Sequence, residues 1–286
     1  MKPSVKYLLL PLMLLIVKSA FTQPYVDPLQ IRFTMGDRDN KSVERGTPFN
    51  HLWAGSDLPI KLAPDAYVLL SPYYEYWRLD SGKKENIFPR VHSLAFPAGV
   101  LLPLKNKKWA LSLTAILRSN GEQLLADKTM QIGGAGFLSY EKSKGKKIRF
   151  GMYVNKDFFG LFVMPLAGAD WRIDKKNYLF GLLPGRLTWE HQFTDRFFGG
   201  FTFRAITNSF RLKNGNYLRI DDNQLSGFLD FYPFRRICLT LEPGYGMLRK
   251  LRTGVEKRKY FPDDTWDDGI FIKLSASYRL RFETKD

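Results

Sequence analysis

Apolar and polar side chains alternate along much of this chain with a period of two. Leu29, Ile31, Phe33 and Met35 are separated by Gln30, Arg32 and Thr34; Trp109, Leu111, Leu113, Ala115 and Leu117 by Ser112, Thr114 and Arg118. Ile148, Phe150, Met152 and Val154 interleave with Arg149, Tyr153 and Asn155, and Ile237, Leu239, Leu241 and Tyr245 with Thr240 and Glu242. The last such run is the longest, with Ile270, Ile272, Leu274, Ala276, Tyr278, Leu280 and Phe282 set against Lys273, Ser275, Ser277, Arg279 and Arg281. Successive residues of a strand point to opposite faces, so each run predicts a strand with one apolar and one polar face.

Hydrophilic clusters punctuate the runs: Lys105–Lys108, Ser143–Lys146, Asp174–Asn177, Thr194–Arg196, Lys213–Asn216 and Arg235–Arg236. This spacing predicts consecutive antiparallel hairpins. Two architectures bury such strands, a soluble sandwich and a membrane barrel that turns its apolar face outward. Aromatic residues gather at the strand ends, as Trp109, Trp171, Trp189, Phe193 and Phe282 do, where the interfacial girdles of a barrel would lie. The predicted fold is therefore all-β, a single antiparallel up-and-down transmembrane β-barrel of about twelve strands, with ten or fourteen as alternatives. One stretch decides the count. The turns after Ile173 and Phe193 face the same way only if Leu183-Pro184-Gly185 is itself a reverse turn between two short strands. The polar stretches 36–64 and 249–268 are expected to be long exterior loops.

The N-terminus adds an address. Met1–Lys6 is basic, Tyr7–Val17 is almost wholly apolar, and Ser19 and Ala20 are small, the arrangement of a secretory signal peptide cleaved after Thr22. Residues 1–22 are thus expected to be a leader and 23–286 a single barrel domain. The apolar run is shorter than the ~20 residues a transmembrane helix needs, and no later stretch reaches that length. Cys238 is the one cysteine, so a disulfide-stapled secreted domain is excluded.

The chain carries 44 Lys and Arg against 28 Asp and Glu, a net charge of +16. For an exported protein that excess points to anionic lipids and lipopolysaccharide as partners, not to nucleic acid. The final strand, with Tyr278, Leu280 and Phe282 as its alternating apolar residues, resembles the signal by which the outer-membrane assembly machinery recognises its clients. It departs from that signal in the overhang Glu283-Thr284-Lys285-Asp286.

The stretch from Gly151-Met152-Tyr153-Val154-Asn155-Lys156-Asp157-Phe158-Phe159-Gly160 through Gly168-Ala169-Asp170-Trp171 to Leu182-Leu183-Pro184 resembles an uncharacterised family of Gram-negative outer-membrane β-barrel proteins, catalogued as a domain of unknown function. The resemblance implies cell-outer-membrane localisation and a barrel fold, and no reaction.

Residues expected to line the lumen are Arg32, Arg118, Arg149, Arg172, Arg186, Arg204, Lys273, Arg279 and Arg281, with Asp170, Glu190, Asp230 and Glu242 as counter-charges. Two functions fit them. One is a narrow pore or transport protein for small, preferably anionic solutes; the other is a structural or surface-interaction barrel whose lumen is packed with ion pairs. A lipid-modifying or proteolytic enzyme is a distant third, because His51, His92 and His191 have no Ser or Asp at a telling spacing. No catalytic residue, metal ligand or cofactor is expected. The run Asp263–Gly269 lacks the ligand spacing of a calcium loop and is expected to be a solvated turn.

Overall fold

A computed structural model describes residues 24–36, 48–79, 89–255, 259–261 and 266–282. The predicted leader lies outside the described residues. The chain forms β1 (Tyr25–Gly36), β2 (Phe49–Gly55), β3 (Leu58–Ala63), β4 (Ala66–Leu70), β5 (Tyr73–Leu79), β6 (Val91–Pro103), β7 (Trp109–Gly121), β8 (Met130–Ser143) and β9 (Lys146–Asp157). It continues through β10 (Gly160–Arg172), β11 (Asn177–Leu183), β12 (Arg186–Gln192), β13 (Phe197–Arg211), β14 (Tyr217–Phe234), β15 (Ile237–Val255), β16 (Lys259–Tyr260) and β17 (Gly269–Arg281).

All seventeen belong to one sheet, and β17 pairs with β1 to close it. β5 and β4 pair in turn with the two halves of β6, so they form one stave interrupted at Ser71-Pro72, where proline cannot donate to the ladder. β2 and β3 likewise form one stave, pairing with β5 and β4. The closed antiparallel barrel therefore has fourteen staves, with the two-residue β16 as an addition to β15. Closure leaves no open sheet edge along most of the wall.

Fourteen exceeds the central expectation of twelve, and the difference has two sources. The stretch 36–64, expected to be a loop, contains β2 and β3. The inner face of β2 carries Phe49, His51 and Trp53, so apolar groups lie on both sides and the polar alternation vanishes. The second source is Leu183-Pro184-Gly185, which is a reverse turn between the seven-residue β11 and β12. The expected loop 249–268 also begins later, because β15 runs to Val255.

One rim, called proximal here, holds the start of β1, the end of β17 and the short connections 64–65, 104–108, 144–145, 173–176, 193–196 and 235–236. The ends of β1, β5 and β15 and the starts of β2, β6 and β17 lie at the distal rim. The short β11–β12 hairpin leaves the wall low on the distal side. Strand tips from either side of the gap meet over it: Arg211 of β13 pairs with Gly121 of β7, and the Phe158 N–H donates to Ser209 Oγ at 3.3 Å.

The barrel is apolar outside and polar inside. Leu29 is 54% exposed while Thr34 on the same strand is 0%. Leu274 is 47% exposed and its neighbour Lys273 is 2%. Leu113, Phe150, Met152, Phe201, Leu225, Leu239 and Leu241 join the outer face, and Trp109 and Trp171 sit near the proximal rim, the first beside Tyr140 and the second at the end of β10. The runs that predicted strands also predicted which face each residue takes.

Candidate functional site

The lumen is divided along its length. At the distal end it is filled. Phe49, Trp77, Leu79, Val91, Phe210, Leu218, Ile220, Leu251, Trp266 and Phe271 form a buried apolar cluster inside the barrel. Trp77 stacks on His51 at 3.8 Å and meets Phe49 at 5.7 Å. Trp266 belongs to this plug, which corrects its expected place in a solvated turn. Asp268, two residues on, accepts the Arg249 backbone N–H at 3.0 Å.

A polar layer adjoins the plug. Asn120 Nδ2 donates to Asn208 Oδ1 at 2.7 Å and to Gln131 Oε1 at 3.0 Å. Asp157 accepts from Ser209 Oγ at 3.0 Å, and Arg118 lies 3.7 Å from Asp157 while donating to Tyr153 Oη. Asn208 Nδ2 reaches Glu75 Oε2 at 3.2 Å, joining β13 to β5 across the interior. Glu75 in turn lies 2.8 Å from His51 Nε2 and accepts from Trp77 Nε1. Buried polar groups satisfied in this way hold their elements in one arrangement.

Ion pairs line the middle and the proximal end. Lys273 Nζ is 2.5 Å from Glu242 Oε1, which also accepts from Ser226. Arg279 bridges Asp27 at 2.6 Å and Asp230 at 2.5 Å. Arg281 pairs with Glu190, and Arg149 with Asp170. Arg249 and Asp222, both fully buried, pair at 3.0 Å nearer the distal rim. Arg172 stands at the proximal rim, its backbone N–H donating to the Gly145 carbonyl at 2.7 Å.

A cavity of about 740 Å³ occupies the proximal half. It reaches from Arg32, Arg186 and Arg204 near mid-barrel to the turn carrying Lys105, Lys107 and Lys108. Its lining contributes eight Lys or Arg and four Asp or Glu, so its potential is positive. The wall is mixed in character, with Trp53, Leu58, Leu69, Leu101 and Phe137 beside the charges.

Arg32, Arg186 and Arg204 differ from the other lumen cations. Arg32 lies over the Trp53 ring at 4.7 Å and Arg186 near the Phe180 ring at 5.8 Å. Among the described residues none of the three has a carboxylate within ion-pair distance, and the buried Nε of Arg204 has no hydrogen-bond partner. Every residue expected from the alternation to face the lumen lies on the inner parity of its strand. Sequence reasoning missed Asp27, Glu75, Asp157, Asp222 and Arg249, which supply half of the pairing. Glu75 was findable from its alternation with Tyr74 and Tyr76.

The histidines do not assemble a hydrolytic site. His51 is buried against Glu75, correcting its expected loop position; His92 Nδ1 meets Tyr74 Oη at 2.7 Å and His191 Nδ1 meets Asn177 Oδ1 at 2.9 Å on the outer face. Among the described residues no group of three or more His, Cys, Asp or Glu could hold a metal ion. Cys238 is buried against Phe198 and Tyr232. Tyr278 and Leu280 share the outer face of β17; Tyr278 Oη accepts from Arg236, and the Phe282 N–H donates to the Pro24 carbonyl at 2.9 Å.

The fold and this interior define a class, an inside-out antiparallel barrel with a basic cavity at one end. No family model matches the chain, and no curated protein matches it. Among solved structures it is similar to an outer membrane channel from Pseudomonas putida F1, at 6% identity over 90% of this chain and 96% of that one, with a TM-score of 0.47. It is also similar to a deltaS2 mutant of the TodX monoaromatic hydrocarbon channel, at 13% identity over 91% and 90% of the two chains and a TM-score of 0.37. The beta domain of the Bordetella autotransporter BrkA aligns at 12% identity over 88% and 98%, with a TM-score of 0.32. At these scores the strand pairing within the chain itself, not the likeness, establishes the barrel.

Proposed function

We propose that this chain is an outer-membrane barrel of a Gram-negative bacterium that serves as a narrow pore or transport protein for small, preferably anionic solutes. The outer apolar belt supports the membrane setting, because lipid-facing strands must shed their charges. The short connections and both strand termini at the proximal rim support a periplasmic side for it, by the rule that barrels keep their short turns there. The leader expected at residues 1–22 supports export. Tyr278, Leu280 and Phe282 then serve the assembly machinery, and the lipids and lipopolysaccharide around the belt are its partners.

The observation that carries the reading is the positive vestibule of about 740 Å³ opening toward the proximal rim. A cleft lined by one sign of charge between low-dielectric walls concentrates ions of the opposite sign. The distal plug is then the constriction, and a solute passes only when Trp77, Phe49 and Trp266 move aside. Planar-bilayer recording of the refolded chain tests this. Discrete, small openings are expected; their absence at every voltage, in the wild type and in Trp77→Ala alike, would overturn it.

A specific observation favours a second reading. The distal half is packed as tightly as a soluble core, with Trp77, Phe210, Leu218 and Ile220 all at 0% exposure. A barrel used only for surface interaction or structure would keep such a plug shut permanently, and the same recording separates the two.

A further inference from the structure

Most cations of the lumen are neutralised by a carboxylate at contact distance, but one group is not. Arg186 and Arg204 face each other directly across β12 and β13, where two like charges in register repel. Arg32, on β1, lines the same two neighbouring cavities as both of them, and the charges of Arg32 and Arg186 both act on Arg204. Glu242 is the carboxylate whose charge acts most strongly on Arg32 and Arg204, yet its Oε1 is already engaged by Lys273 and Ser226. Three guanidiniums converging inside a barrel, without carboxylates of their own, are costly unless something anionic joins them.

We infer that Arg32, Arg186 and Arg204 form a binding site for the phosphate group of a small organic phosphate, whose apolar body lies along Trp53, Leu69, Leu101 and Phe137 toward the proximal mouth. Guanidinium forks match the oxygens of a phosphate and bind it in bidentate fashion. The buried, unpartnered Nε of Arg204 supplies a donor in waiting. The head of the site is cationic and its approach is partly apolar, so a bare inorganic ion fills only its inner end. A volume of about 740 Å³ falls in the ordinary range for pockets that enclose a small organic ligand. Lys105, Lys107 and Lys108 at the mouth attract the ligand from the periplasmic side.

The inference deepens the pore reading and rests on it only for the passage of the ligand, not for its binding. The test is calorimetric titration of the refolded full chain with phenyl phosphate, inorganic phosphate and benzyl alcohol. Phenyl phosphate should bind saturably, inorganic phosphate about tenfold or more weakly, and benzyl alcohol not at all. Arg186→Gln and Arg204→Gln should each weaken phenyl phosphate at least about tenfold, while Lys176→Gln, in a proximal turn outside the cavity, should not. If either arginine variant fails to fold, protection of Arg186 from phenylglyoxal by phenyl phosphate in the unaltered protein is the deciding measurement. Absent saturable binding, equal affinity for inorganic phosphate, unchanged affinity in folded variants, or no protection would each overturn the site. Binding without bilayer conductance would remove the pore and keep the site; conductance with anion preference but no binding would do the reverse.

Discussion

Arg279 and Asp27 stand 252 residues apart in the chain and meet at 2.6 Å, joining the last strand of the barrel to the first. The same guanidinium holds Asp230 of β14, so one side chain ties the seam between β17 and β1 to the wall beyond β15. Breaking a buried ion pair from one side costs about 3–5 kcal/mol, since a charge is left without its partner. Arg279→Met leaves two such carboxylates and should lower the temperature at which the folded band is lost in heat-modifiable electrophoresis. Asp27→Asn leaves the Asp230 pair intact and should lower it less. Equal loss in the two variants would contradict the bridging role.

Leu274 and Ser275 are neighbours on opposite faces of β17. Arginine on the lipid face costs ~2–4 kcal/mol at the bilayer midplane, whereas the lumen tolerates it. Leu274→Arg should assemble poorly and Ser275→Arg should assemble. The two variants carry the same added charge in the same strand, so heat-modifiable migration of outer-membrane fractions isolates the face. Equal folding would mean that the two faces of this strand are misassigned.

The success of β17 and the failure at β2 share a physical cause. Where the lumen is wet or ion-paired, inner residues such as Lys273, Ser275 and Arg279 are polar and the period of two is legible. Where the lumen is plugged, the inner residues Phe49, Trp77 and Leu79 are as apolar as the outer ones, and alternation disappears. The inward positions of Arg186 and Arg204 were legible from parity alone. Their lack of carboxylate partners was not, because pairing joins strands far apart in sequence, as Arg279 with Asp27 illustrates.

Close strand packing gives a glycine test. A Cβ added at Gly200 would lie 1.9 Å from the Trp189 carbonyl oxygen, whereas one at Gly227 would meet nothing nearer than a Phe201 ring carbon at 3.7 Å. Backbone cannot yield as a flexible side chain can. Gly200→Ala should reduce the yield of folded barrel severalfold, and Gly227→Ala should leave it unchanged, as read by the folded fraction on refolding into detergent.

The plug makes its own prediction. Trp77 is wholly buried, and truncating such a residue costs about 3–5 kcal/mol and leaves space behind. Trp77→Ala should therefore unfold at a lower temperature yet conduct more, as larger or longer single-channel openings. A less stable variant with unchanged or smaller openings would place the constriction elsewhere.

A lumen whose vestibule is lined by cations should prefer anions. The most direct measurement is the reversal potential of the refolded chain in a planar bilayer under a potassium chloride gradient. The wild type should reverse on the chloride side of zero, and the double variant Arg149→Gln, Arg204→Gln should shift toward zero. Cation preference in the wild type, or the same reversal potential in both proteins, would contradict the account.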